Sequence, residues 1–460
     1  MPNNSIISIT NNELCTGCGV CVSESNGNLK IKKNEFGFLV PELINEGLTA
    51  TAIKVCPFNP NPDKEIENED KLAAIFLKET QNSVNKIGRY ENLYVGYSNE
   101  YRNTSSSGGI ASYIFERLLK EKLVDYLYIV KEVEGNYEYQ LFSHVDEIRK
   151  ISKTRYIPVT LEQLFLNIDT IQGKIAISGV ACFIKAIRLK HYYNPGLKQK
   201  IPFLVGIICG GLKSSFFTDY LAQKAGIEQQ YKKQDYRIKD KNSLASDYSF
   251  GAYNENDDFK QVKMKTIGDM WGTGMFKSNA CDFCTDVTTE LADISLGDAW
   301  MHPYDKEGLG NSIVITRTSI ADNLIKKGIR NKELSLDELS LEKLLLSQKG
   351  SFNHRHIGLG ERIRIKKKQN KLLPSIRHIQ HTTPLDFALV QKHRMVVREK
   401  SLEIWLKTKN VIEFDKLIET HLEKLNFYTK IYHYKYKIKS KIDGIFMRVI
   451  KIIYITVANK

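Results

Sequence analysis

A chain of 460 residues with 42% hydrophobic and 26% charged residues has the composition of a packed globular protein, which excludes a collagen-like, coiled-coil or wholly disordered chain. Its length predicts two or three domains at roughly 100 to 200 residues each. A net charge of +14 predicts attraction to something acidic, whether nucleic acid, anionic lipid or a phosphorylated compound, without choosing among them.

Residues 1 to about 62 read as a small cysteine-bearing unit in which turn-rich segments, Ser23 to Asn28 and Pro57 to Pro62, accompany a short strand at Leu29 to Lys32. The polar stretch Asn59 to Lys71 reads as a boundary. From about residue 92 strands and helices alternate: a strand at Asn92 to Tyr97, a helix over Gly109 to Leu123 spaced by Ile110, Ile114, Leu118 and Leu119, and a strand at Val124 to Val130. A buried strand at Lys174 to Ser178 leads into a helix over Phe183 to Tyr192, and a second at Phe203 to Ile208 precedes a helix near Phe216 to Lys224. Further strands are expected at Tyr248 to Tyr253 and Ser312 to Thr316, and helices near Ile320 to Arg330 and Leu336 to Gln348. Beyond Gly350 the composition turns basic and aromatic, clearest in Glu361 to Lys371 and Phe427 to Lys441, and predicts a separate helical appendage. The expected fold is an α+β ferredoxin-like domain over 1–75, an α/β domain over 90–330 and a mainly helical basic region over 331–460. The longest nearly uncharged apolar stretch, Ile201 to Leu212, is shorter than the roughly 18 to 20 residues of a spanning helix. The first twelve residues lack the basic start and apolar run of a secretory signal, so the expected location is the cytoplasm.

The eight cysteines divide into two sets of four. Cys15, Cys18 and Cys21, each separated by two residues and followed by Cys56-Pro57, have the spacing of a ferredoxin-type 4Fe-4S site: three thiolates from one tight loop and a fourth from a distant Cys-Pro. Gly17 and Gly19 let backbone amides approach the sulfides. Position 25 is serine and residues 45 to 55 contain no cysteine, so one cubane fits this unit. In the second set Cys281 and Cys284 alone would suit half a zinc site. Cys182 and Cys209, however, each follow a predicted strand, and in a parallel sheet both emerge at the carboxyl edge, where ligands gather. A second 4Fe-4S cluster, structural zinc and unliganded core cysteines are the readings open for this set.

Together with the cysteines, Ser105-Ser106-Ser107-Gly108-Gly109 opening a helix, Ser178-Gly179 before Cys182, Cys209-Gly210-Gly211 and Ala292-Asp293-Ile294-Ser295-Leu296-Gly297-Asp298-Ala299-Trp300 occur in a familiar order. So does Gly310-Asn311-Ser312. The chain resembles the beta subunit of coenzyme F420 hydrogenase/dehydrogenase with an N-terminal ferredoxin domain, over roughly residues 10 to 60 and 92 to 320. The resemblance implies an iron-sulfur flavoprotein whose FAD exchanges a hydride with an organic substrate and single electrons with clusters. Longer bacterial forms of this type accompany exopolysaccharide synthesis genes. Val180-Ala181 and Thr154-Arg155-Tyr156 stand where the family has Thr-Pro and Ser-Lys-Tyr, which counts against coenzyme F420 itself as the ligand.

Arg102 and Ser105 to Gly109 supply a cation, hydroxyls and close-approach glycines at a helix N-terminus, where free amides favour a phosphate such as the FAD pyrophosphate. A serine-rich turn with an N-cap is the plainer reading. Asp298 and Trp300 are candidates for contact with the flavin ring or the second cluster, and Tyr156 with Arg155 for a phosphate or ring edge. The expected function is an oxidoreductase relaying electrons between a ferredoxin-like carrier or redox partner subunit, two 4Fe-4S clusters, FAD and an organic substrate. The competing readings are a non-catalytic electron-transfer subunit and a zinc-containing binding protein that uses its charge on nucleic acid. Ile442, Ile445, Phe446, Val449, Ile452 and Ile453 share a helical face beside Lys441, Arg448 and Lys451, a pattern that suits peripheral contact with an anionic membrane.

Overall fold

Short runs of aliphatic and β-branched residues, such as Phe203–Ile207 and Ser312–Thr316, form one sheet. A computed structural model describes residues 5–45, 47, 50–151, 153–378 and 382–458, the side chains of 150, 151 and 439–458 excepted. The sheet has eight strands: β1 Asn92–Ser98, β2 Tyr126–Val133, β3 Asn136–Phe142, β4 Ile175–Val180, β5 Phe203–Ile207, β6 Ile294–Asp298, β7 Ser312–Thr316 and β8 Leu334–Glu338. Their spatial order is β8-β1-β7-β6-β5-β4-β2-β3. The central strands β2, β4, β5 and β6 run parallel, while β7, β1 and β8 on one flank and β3 on the other pair antiparallel. β7 is buried along its whole length and β5 over all but its last residue, as strands covered on both faces should be.

The helix Ala181–Tyr193 begins on the residue after β4, so the sheet hands its chain directly to the position of Cys182. The N-terminal unit contains the helix Ile6–Asn11, the cysteine loop and a hairpin of Leu29–Lys33 with Leu39–Leu43. It shares one core with the sheet: Ile9, Val20, Leu29 and Val55 pack in the same cluster as Ile177, Phe183, Ile184 and Leu204. Two backbone amides fasten the join, Leu161 donating to the Cys18 carbonyl at 2.9 Å and Ile31 to the Glu162 carboxylate at 2.8 Å. A three-stranded antiparallel sheet, Tyr231–Ile238, Ser249–Asn254 and Phe259–Lys263, covers an aromatic core of its own.

Two expectations are corrected. The helix expected over Leu336 to Gln348 is split: β8 pairs with β1, and a helix spans Leu341–Ser347 with Ser340 capping the Lys343 amide. Leu334 and Leu336 alternate with Ser335 and Asp337, a period of two that an edge strand uses. The region beyond Gly350 is helical, with Leu359–Lys368, Leu385–Thr408 and Val411–Ala458, but it is no separate appendage. Trp405 is 1% exposed and packs edge-on against Tyr220, Phe276 and Phe414. Among the described residues no helix is long and apolar enough to cross a membrane. The side chains of the apolar face at 442 to 453 lie outside the described residues.

Replacing Trp405 by alanine removes the largest fully buried side chain at this join. The expected cost is about 3 to 5 kcal/mol, measured by denaturant unfolding of the full chain. A loss within experimental error of zero would show that the tail contributes nothing to the core.

Candidate metal centres and cofactor cleft

The first four cysteines line a single small cavity with apolar walls from Ile6, Leu14, Val55 and Phe58. Gly17 and Gly19 adopt φ of 73° and 78°, the left-handed region that lets the loop turn twice within five residues. The Gly17 amide donates to Cys15 Sγ at 3.3 Å. A Cβ at Gly19 would fall 2.1 Å from Thr160 Oγ1, so the loop is also wedged against the chain leading to β4. Burial pushes the Cys15 thiol up to about 12 and that of Cys18 up to about 11. Cys21 and Cys56 are raised by burial and by neighbouring cysteines. Thiols held in this way are neutral unless a metal replaces the proton, and four of them around one cavity are a donor set that suits a metal cluster.

The second quartet is gathered by the sheet. Cys182 lies in the first turn after β4, Cys209 two residues after β5, and Cys281 and Cys284 in and beyond the 3-10 turn Asn279–Asp282. The Cys182 thiol is raised first by burial and then by Cys284, Cys281 and Cys209, which places all four together. Amides of Gly211 and Leu212 donate to the Sγ atoms of Cys209 and Cys281, each at 3.2 Å. Arg355 Nη1 donates to Cys284 Sγ at 3.1 Å. Among the described residues no three His, Cys, Asp or Glu side chains are arranged to hold a single metal ion. In a tetrathiolate zinc site the sulfurs stand roughly 3.8 Å apart, from a Zn–S bond near 2.3 Å, whereas a cubane carries its ligands around a wider body.

The two quartets are neighbours. Thr16, between Cys15 and Gly17, has its side chain beside Cys182, where it lowers the thiol against the influence of burial. Tyr139, buried and stacked on Tyr128 with ring centroids 5.2 Å apart, lies beside both Cys182 and Cys18.

Next to Cys209, basic and aromatic side chains gather in one region, the candidate cofactor cleft. Tyr156, beside Cys209, meets Tyr236 and Trp271 edge to face at 5.4 and 4.8 Å. Arg237 pairs with Asp298 at 2.6 Å, and its guanidinium lies over the rings of Tyr248 and Trp300. Lys239 Nζ donates to the Ser107 carbonyl at 2.7 Å and to the Arg102 carbonyl, tying the serine-rich loop to the cleft. Lys153 pairs with Asp235 at 2.8 Å. The predicted residues Arg102, Ser105, Ser106, Ser107, Gly108, Gly109, Tyr156, Asp298 and Trp300 thus surround one region, linked by Arg237 and Lys239.

Several of their polar groups are occupied within the protein. Ser106 Oγ accepts from the Thr154 amide at 2.9 Å, and Ser107 Oγ donates to the Asn311 carbonyl at 3.1 Å. Ser105 Oγ is 3.4 Å from Ser112 Oγ. The Gly108 amide donates to Ser312 Oγ at 3.1 Å. Arg102 pairs with Glu307, donates to the Gly310 carbonyl at 3.0 Å and stacks over Tyr97 at 3.7 Å. Gly109, at φ 80°, opens the helix Ile110–Lys120 with no side-chain cap, leaving first-turn amides available to an anion.

Sequence reading missed Arg237, Lys239 and Arg355. Tyr236-Arg237-Ile238-Lys239 reads as an ordinary strand with charges on one face. Arg355 sits in a basic stretch indistinguishable from a solvated one.

The beta-subunit pattern of coenzyme F420 hydrogenase/dehydrogenase matches this chain in two parts, the N-terminal part over residues 93–165 and the C-terminal part over 172–342. A mixed α/β protein with grouped thiols beside a basic cleft is therefore a redox type already known. The chain belongs to the coenzyme F420 hydrogenase/dehydrogenase beta subunit family. It is 30% identical over 198 residues to the coenzyme F420 hydrogenase subunit beta of Methanococcus voltae, covering 40% of this chain and 65% of that protein. The corresponding subunit of Methanosarcina barkeri is 24% identical over 58% of this chain and 91% of its own. A coenzyme F420-dependent sulfite reductase of Methanocaldococcus jannaschii is 23% identical over 73% of this chain but only 49% of its own length. A chain of the F420-reducing NiFe hydrogenase complex from Methanosarcina barkeri superposes with a TM-score of 0.48 at 19% identity, covering 65% of this chain and 99% of that one.

Burial and the neighbouring cations Arg237, Lys153 and Arg102 push the Lys239 ammonium down to about 7. Lys239 is charged below that value and neutral above it. Affinity for a pyrophosphate-bearing ligand should therefore fall as pH rises through about 7, and Lys239→Met should flatten the profile. Calorimetric titration with FAD across this range checks it, and identical profiles for the two proteins would remove Lys239 from the site.

Proposed function

We propose that this chain is an iron-sulfur flavoprotein oxidoreductase, passing electrons between a one-electron carrier or partner subunit, two 4Fe-4S clusters and an FAD beside an organic substrate. The observation that carries the reading is contiguity: the cysteine loop of the first quartet reaches Cys182 through Thr16, and the second quartet meets the cationic cleft at Tyr156. Cys15, Cys18, Cys21 and Cys56 would hold one cluster, and Cys182, Cys209, Cys281 and Cys284 the other. Bound in the cleft, FAD supplies the exchange between a two-electron hydride and single electrons that clusters alone cannot perform.

The protein's own groups do the rest. Arg237, Lys239 and Lys153 with the first-turn amides of the helix Ile110–Lys120 attract and orient a pyrophosphate. Tyr156, Tyr248, Trp271 and Trp300 offer aromatic faces for a ring system. The apolar walls of Ile6, Leu14, Val55 and Phe58 keep water from the first quartet. An anionic organic substrate, such as a precursor in exopolysaccharide synthesis, suits the charge of the cleft. Redox activity is the property its relatives share, as hydrogenase subunits and a sulfite reductase.

Anaerobic reconstitution of the full chain should give about eight irons, two cubanes' worth, with a matching quantity of sulfide and one FAD. Cys209→Ser should lose about half the iron, one cubane of the two, and keep the rest. A wild-type content of about four irons, or no bound flavin, would reject the relay.

A further inference from the structure

The surroundings of the two quartets differ in charge. Around the first, burial, backbone amides and the other cysteines are the main influences on the thiols, and Lys185 comes after them at Cys56. Its ammonium is paired with Glu69 at 2.9 Å. Around the second, Arg355 donates to Cys284 Sγ at 3.1 Å, to the Asp286 carbonyl at 2.6 Å and to the Cys209 carbonyl. Arg355 is 4% exposed, and no carboxylate forms an ion pair with it among the described residues. Lys213, 3% exposed and near Cys281, donates to the carbonyls of Met270 and Met275, at 2.8 and 2.5 Å, and lies over the rings of Phe217 and Trp271. Lys277 is also close to Cys281, but it is neutralised by Asp282 at 2.6 Å. Asp286 and Glu69 oppose this field at Cys284; Glu69 is itself bridged by Lys185 and Arg377.

Charge on either side chain, without a carboxylate partner, is costly to hold in a protein interior; Arg355 keeps its charge, while burial and the Lys277 ammonium push Lys213 well below the usual lysine range. Such charge is matched if the centre beside it is an anion. A cubane held by four thiolates is such an anion, and it gains a further negative charge on reduction. A cation bonded to its ligand sulfur favours the reduced form and raises the reduction potential.

We propose that Arg355, assisted by Lys213, sets the potential of the centre at Cys182, Cys209, Cys281 and Cys284 above that of the centre at Cys15, Cys18, Cys21 and Cys56. The inference rests on the two-centre reading above and adds the direction in which single electrons fall. An external one-electron donor is oxidised at the N-terminal centre, and the electron moves inward toward the cleft with no bond made or broken. Arg355 lies beyond residue 342, where the family match ends, so it is a positioning residue contributed by this chain's own C-terminal region.

The test is an anaerobic redox titration of the reconstituted full chain, with mediators, dithionite and electron paramagnetic resonance. Iron and sulfide are counted first. Wild type should show two one-electron midpoints. In Arg355→Gln the higher midpoint should fall so that its oxidised-to-reduced ratio at fixed potential changes at least tenfold, about 59 mV for one electron. The lower one should stay in place, and Arg355→Lys should restore part of the shift. Lys213→Gln, which removes a charge without touching a ligand sulfur, should move the same midpoint the same way and keeps the test open if Arg355→Gln fails to load. Movement of the lower midpoint, or of neither in both charge-removing variants, overturns the inference while leaving two centres intact. About four irons and a single midpoint in wild type would instead overturn the two-centre reading and the inference with it.

Discussion

The site depends on β5 lying between β4 and β6 with all three strands parallel. Parallel neighbours deliver their carboxyl ends to the same edge of a sheet, so the residues that follow them meet without any further device. Cys182 and Cys209 are 27 residues apart in sequence, and this pairing is what makes them neighbours. Gly206 shows how little latitude the arrangement has, since a Cβ there would stand 2.6 and 2.7 Å from Thr289 and Ala292. The segment leading from Cys284 to β6 packs its Thr289 and Ala292 side chains where a Cβ of residue 206 would stand.

Much of this was legible in the sequence, because the signals were local. The strands β1, β4, β5 and β7 and the helix after β4 follow from apolar runs and helical spacing. The first cysteine set follows from its spacing, and the pairing of Cys182 with Cys209 from their matched positions after strands. What was not legible is the work of residues whose partners are far away in the chain. Arg237 gains meaning from Asp298, 61 residues on, and Arg355 from Cys284, 71 residues back. A basic side chain looks the same in sequence whether it faces water or a buried sulfur. The error at Leu336 to Gln348 was of another kind. Leucines at 334, 336, 339, 341, 344, 345 and 346 satisfy a period of two early and 3.6 later, and only pairing with β1 decides where one gives way to the other.

The C-terminal region shows why charge alone is a poor guide to partners. A net +14 invites a nucleic acid or a membrane, yet part of that excess is spent internally. Arg355, Arg362, Arg394 and Arg398 are all buried or nearly so, and Asp282 is the hub for several of them. It accepts from Arg398 at 3.1 Å and pairs with Lys277 at 2.6 Å, and its carbonyl accepts from Arg362 at 2.8 Å. These cations hold the Asp282 carboxyl well below the usual carboxylate range despite its burial. Removing one partner of such a network leaves an uncompensated buried charge, at a cost of about 3 to 5 kcal/mol.

Asp282 also sits between Cys281 and Cys284 in sequence, and this joins the stability of the tail to the chemistry of the second quartet. The same turn carries two sulfurs and a carboxylate, and the helices Leu359–Lys368 and Leu385–Thr408 supply the arginines that hold it, Arg362 at the Asp282 carbonyl and Arg398 at its carboxylate. Tail and turn therefore fix each other: the arginines need Asp282 to be buried at low cost, and the turn needs the arginines to keep its two cysteines facing Cys182 and Cys209. A segment that lies beyond residue 342, where the family match ends, and that composition alone would assign to the surface, is by this coupling part of the wall around the second thiol site.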